Sequence, residues 1–160
     1  MNRKLGGVGM LAATGGEKMT DRDHPGWEKD FPRREEFEDF SGKMRTFIID
    51  CHEGSWGYTI RAREENPKGE GYEFAVYSET SPYSALGRLR DKARRSMATR
   101  HLSSGHNMLH DKLRGRITAD GHGGVVLVVD GLAISIDKLT RLLATHEGWE
   151  FELRIKDALQ

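Results

Sequence analysis

The chain has a single cysteine, Cys51, so no internal disulfide can staple it. That removes the scaffold on which small secreted domains rely, and a reducing, cytoplasmic setting is expected. Long hydrophobic runs are missing too. Nothing approaches the roughly eighteen consecutive apolar residues of a membrane-spanning helix, so no membrane partner is expected. The opening MNRKLGGVGMLAATGG sets Arg3 and Lys4 before an apolar patch, but that patch is short and rich in glycine, which argues against a secretory signal. No sign of charge dominates: 25 Lys and Arg balance 25 Asp and Glu, unlike most dedicated nucleic-acid binders. Catalytic fingerprints are also lacking. There is no Cys-x-x-Cys pair and no His-Glu-x-x-His, and the glycine-rich DGHGGV lacks the lysine and following helix of a phosphate loop. A non-catalytic protein without a cofactor is the reading these absences favour.

What is present fits one domain of 160 residues. Residues 1–43 show no sustained period and end in the acidic, aromatic stretch HPGWEKDFPRREEFEDFSG, which reads as a flexible arm. Order is expected from Met44. RTFIIDC is β-branched and apolar, SWGYTIRAR alternates with Trp56, Tyr58, Ile60 and Ala62 on one face, and YEFAVYSE alternates Tyr72, Phe74 and Val76 against Glu73, Ala75 and Tyr77. A helix follows, with Ser81 as N-cap and Pro82 at its first position. Leu86, Leu89, Ala93 and Met97 fall on one side of it, and Arg88, Lys92 and Arg95 on the other.

After SSG, the stretch HNMLHDKLRG has the length of two helical turns. RITADGHGGVVLVVDG reads as a hairpin whose VVLVV is apolar enough to be buried on both faces, with a possible short third strand after the Asp130-Gly131 turn. Ser135 caps a second helix with Ile136, Leu139, Leu142 and Leu143 as its buried stripe. The closing WEFELRIK alternates without a fault, placing Trp149, Phe151, Leu153 and Ile155 on a core face. The expected class is α+β: a mainly antiparallel sheet with two main helices on one face, in the order βββα, short helix, ββαβ. With Thr80 and Ser81 before the first helix and Ala85 inside it, residues Met44 to Leu102 resemble the HicB-like antitoxin domain. Glu79 and Ser84 stand where that family commonly has glycine and glutamate. The resemblance implies a three-strand-and-helix topology and a small bacterial regulator.

Three constellations are candidates for function. Between Leu86 and Arg116 nine basic residues face only Asp91 and Asp111. Arg88, Lys92 and Arg95, with Arg61 and Arg63 close by, would meet an acidic protein surface, RNA or DNA, or the chain's own acidic arm. The neutral whole-chain charge favours the protein partner, and a homo-oligomer is compatible with everything above. Secondly, His106 and His110 stand at i and i+4, which on a helix would aim both rings one way, with Cys51 and His52 to complete a zinc set. That spacing supports the alternative, a metal-assisted hydrolase or nuclease. Thirdly, Cys51 and His52 are neighbours on a strand and point to opposite faces, so they do not form a nucleophile and its base. Glu150 and Glu152 share one strand face and have Arg61 or Lys156 as candidate ion-pair partners.

Overall fold

A computed structural model describes residues 26–160. The signal-like opening and the glycine-rich start of the expected arm lie outside the described residues. The chain divides into a unit from Met1 to Asp30, of which only a turn at Gly26–Asp30 is described, and a unit from Phe31 to Gln160.

The second unit is α+β and holds two antiparallel sheets. The first is a four-stranded meander, β1 (Arg34–Glu38), β2 (Met44–Gly54), β3 (Gly57–Glu64) and β4 (Glu73–Ser78), followed by α1 (Pro82–Met97). The second is a three-stranded meander, β5 (Arg116–Ala119), β6 (Val125–Val129) and β7 (Leu132–Ile134), followed by α2 (Ile136–Leu143). The single expected sheet is thus two, each carrying one helix.

In the first sheet the alternation decides which face is dry. Ile60 pairs with Val76 and Ala62 with Phe74, and all four are buried beneath α1, which supplies Ala85, Leu86, Leu89, Ala93 and Met97. Phe37 and Phe47 meet edge to face at 5.3 Å, and Phe47 reaches Phe74 at 5.9 Å. Such pairs add to the area term of burial. The capping signals of α1 are realised: the Ser81 hydroxyl accepts from Ser84 N at 3.0 Å and Pro82 follows it. At the β2–β3 turn Gly57 has φ +150°, and a Cβ there would lie 2.4 Å from the Ser78 carbonyl oxygen, so only glycine fits. Trp56 beside it is 86% exposed instead of on the core face. It sits on the tip of the turn, beyond the reach of α1, with its carbonyl accepting from the Tyr77 hydroxyl.

The arm expected through residue 43 is corrected over its last part. β1 pairs with β2, Glu35 opposite Phe47 and Phe37 opposite Arg45, and Phe31 and Phe37 are core residues. Its alternation is masked in the sequence because three of its five residues are glutamates. The turn into β2 is built by Asp39, whose Oδ1 accepts from Ser41 N at 2.8 Å, Ser41 Oγ at 2.6 Å and Lys43 N at 3.1 Å, while Oδ2 takes Arg45 Nε at 2.7 Å. Arg45 Nη1 continues to Glu64 at 2.7 Å. Burial works against the Asp39 charge, yet these hydrogen bonds outweigh it and hold the carboxyl well below the usual carboxylate range.

The second half is thinner. Leu102, Val129, Ile134 and Leu142 form its buried cluster, with Met108, Leu113, Leu127 and Leu139 packed against it. The Asp130-Gly131 turn is present, with φ of +51° and +78°, and Ser135 caps α2 by accepting from Lys138 N at 3.1 Å. Four expectations fail here. Of the stripe expected on α2, Leu142 is buried and Leu139 half-buried, but Ile136 and Leu143 are exposed, because the cluster beneath the helix is too small to reach them. HNMLHDKLRG forms no helix, because its chain turns at Ser103–Asn107 and returns so that Leu102 bridges Met108. VVLVV is buried only at Val128 and Val129, since among the described residues this sheet has a single helix and no second layer over Val125. WEFELRIK forms no strand: among the described residues no sheet edge is presented to it, and Trp149, Phe151, Leu153 and Ile155 are all exposed.

Candidate functional site on helix α1

The outward face of α1 carries the basic stripe where the helical period puts it. Arg88 and Arg95 are exposed and Lys92 is half-buried. Their neighbours are main-chain oxygens. Arg88 Nη1 donates to the Tyr77 carbonyl at 2.9 Å. Lys92 Nζ donates to Ala75 O at 3.0 Å, Ala158 O at 2.5 Å and Gln160 O at 2.9 Å. The tail so held also lies against the free edge of β4, where Tyr77 N donates to Leu159 O at 3.2 Å. Burial lowers the Lys92 pKa first, the Arg88 charge lowers it further, and Asp157 opposes both. Among the described residues the Arg95 side chain has no hydrogen bond or ion pair.

Arg90 behaves differently. Its stem runs beside the apolar arc and its guanidinium forms a forked pair with Glu35 of β1, with Nε at 3.0 and 3.1 Å from the two carboxylate oxygens. That hydrogen bonding raises its pKa against the opposing effect of burial. The acidic stretch is therefore an intramolecular partner of α1, through the Glu35 carboxylate and through the Phe31 ring, which meets Tyr83 at 5.7 Å. The contacts of Lys92 with residues 158–160 had no sequence signal, because carbonyl oxygens are common to every residue type.

Arg61 and Arg63 do not join this stripe. They alternate with Ile60 and Ala62, which face α1, and so lie on the opposite surface of the sheet. Arg63 pairs there with Asp50 at 2.7 Å, both groups more than half exposed. His106 and His110 are exposed on an irregular segment, His106 at φ +59°, so the helical spacing that would align them does not exist. Cys51 and His52 sit on β2, the first half-buried and the second exposed. No group of three metal-ligating side chains occurs among the described residues. Glu150 and Glu152 are exposed, and Glu152 pairs with Arg154 at 3.1 Å instead of with Arg61 or Lys156.

Sequence reasoning also passed over the buried pair at the junction of the two sheets. His101 N and Leu102 N each donate to Asp130 Oδ2 at 2.8 Å, and His101 Nδ1 lies 3.1 Å from Oδ1. Next to it Gly71 N donates to Gly131 O at 2.9 Å and Arg116 meets Glu73 at 3.4 Å. These groups join β4 and the chain after α1 to the second sheet.

Residues 29–98 match a family described as a domain of unknown function, DUF7686, and residues 99–160 match a second one, DUF7713. The division falls at the end of α1, so each match covers one sheet with its helix. No curated protein and no solved structure matches the chain. No helix among the described residues is long and apolar enough to cross a membrane.

Proposed function

We propose that this chain is a non-catalytic cytoplasmic binding and regulatory module that receives an acidic protein partner on the outer face of α1. The observation that carries the reading is the kind of neighbour the stripe has. Arg88 is held by the Tyr77 carbonyl and the Arg95 side chain by nothing among the described residues, so both guanidinium groups stand exposed with no carboxylate bonded to either, while Lys92 between them is taken up by the tail. A carbonyl orients a cation at less cost in side-chain entropy than an arriving carboxylate would otherwise impose, and leaves its charge for the partner. The succession of β2, β3, β4 and α1 supports the likeness to the HicB-like domain, and with it a bacterial regulator.

The test reverses Arg88 and Arg95 to glutamate and leaves Lys92, which also holds the tail. Capture of an acidic protein partner by the wild type should weaken with salt and survive nuclease, and the double variant should bind it at least about tenfold more weakly with an unchanged melting temperature. Capture that disappears with nuclease would make RNA or DNA the partner. Equal capture by both forms would leave α1 as the solvated side of a core helix.

A further inference from the structure

The segment from Trp149 to Lys156 is the most regular amphipathic strand pattern in the chain, and among the described residues no strand lies beside it. It runs without turn or bend, and residues 150–156 make no main-chain hydrogen bond among the described residues. Trp149 is 67% exposed, Phe151 89%, Leu153 76% and Ile155 69%. Both ends are anchored. Trp149 N donates to His146 O at 3.0 Å and its ring meets His146 edge to face, while beyond Lys156 the tail is held by Tyr77 and Lys92. A taut stretch with four exposed large apolar side chains and a row of open N–H and C=O groups is a template for another strand.

We propose that the occupant is the same segment of a second copy, paired antiparallel about a two-fold axis through Leu153. The charges select this arrangement. Centred on Leu153, Glu150 stands opposite the partner's Lys156 and Glu152 opposite the partner's Arg154, and the symmetry repeats both pairs, giving four opposite-sign contacts on one face. On the other face Leu153 meets its own copy and Phe151 meets the partner's Ile155. Centring on Glu152 or Arg154 instead sets like charges opposite each other at the axis, and an in-register parallel pair opposes every charge to its own copy. A shift of one residue sets apolar against polar along the whole strand. A bare two-stranded ribbon is marginal in water. Half-exposed Ile136 and Leu143 of α2, and Ile117 and Val125 on the same sheet face as buried Val129 and Ile134, offer apolar surface for the ribbon to cover.

The experiment is a charge swap read by sedimentation equilibrium on the full chain. Wild type should be a dimer. Glu150→Lys with Glu152→Lys makes all four cross-strand pairs repulsive, as does Arg154→Glu with Lys156→Glu, and each double variant should dissociate about a hundredfold more readily than wild type. An equal mixture of the two variants restores every pair and should reform a dimer containing one copy of each. All four positions are exposed, so far-ultraviolet circular dichroism should be unchanged. A monomeric wild type, dimers that persist in both variants, or a mixture that stays monomeric each overturn the proposal.

Discussion

At the scale of the residue, burial separates side chains that sequence patterning treats alike. Trp149 and Phe37 are both large aromatics in alternating stretches, yet one is 67% exposed and the other 2%. Trp149→Ala should therefore cost less than about 1 kcal/mol in a chemical denaturation series on the monomer, whereas an aromatic in the core costs about 3–5 kcal/mol. Asp39 is the opposite case, a polar residue that the fold requires. Its side chain is 1% exposed, so Asp39→Ala removes one of the two carboxylates on Arg45 and leaves the Ser41 and Lys43 N–H groups without their acceptor, and should cost about 3 kcal/mol. Because its pKa is lower folded than unfolded, its stabilising contribution is complete above the unfolded carboxylate value of about 4 and is lost as pH falls through the folded value. Denaturation curves from pH 6 downward should show wild type losing stability in acid and Asp39→Ala losing less. Parallel curves would mean that Asp39 titrates alike in both states.

At the scale of the element, the signals that survive folding are those satisfied locally. Ser81 and Ser135 cap their helices, and Asp120 closes its hairpin by accepting from His122 N at 2.7 Å and Gly124 N at 2.9 Å. Each involves atoms within four residues. β1 depends instead on a partner strand and on one inward phenylalanine, so a stretch with three glutamates out of five residues reads as part of a flexible arm. This changes what truncation should do. A chain beginning at Met44 loses Phe31, Phe37, Asp39 and the Glu35 contact with Arg90, and exposes the edge of β2. Thermal melting of that fragment should be non-cooperative or absent; a sharp melt near that of the full chain would show β1 to be an accessory strand.

At the scale of the whole molecule, two sheets with separate helices behave as one compact unit from Phe31 to Gln160 because a few polar groups bridge them. The Asp130 carboxylate satisfies two main-chain N–H groups and the His101 ring in a place closed to water. Asp130→Ala leaves those donors without acceptors and should cost about 3 kcal/mol. Since the loss falls at the junction, calorimetry should resolve the single wild-type transition into two, with the second sheet melting first on account of its smaller core. A variant that still melts in one step would place the coupling in the Gly71–Gly131 hydrogen bond and the Arg116–Glu73 pair instead.

Period and near-neighbour signals in the sequence carried the α+β class, both main helices with their caps, the buried arc of α1, the β2–β3–β4 meander and the Asp130-Gly131 turn. These rest on period and on contacts between near neighbours, which a linear chain records directly. It also placed Arg88, Lys92 and Arg95 on one side of α1. Only the tertiary structure decided that Arg61 and Arg63 lie across the sheet from them, that Glu35 and the tail residues 158–160 reach α1, and that His106 and His110 share no helix. The clearest division is WEFELRIK. Its alternation records a strand, but a strand needs a neighbour to accept its hydrogen bonds, and among the described residues the fold supplies none.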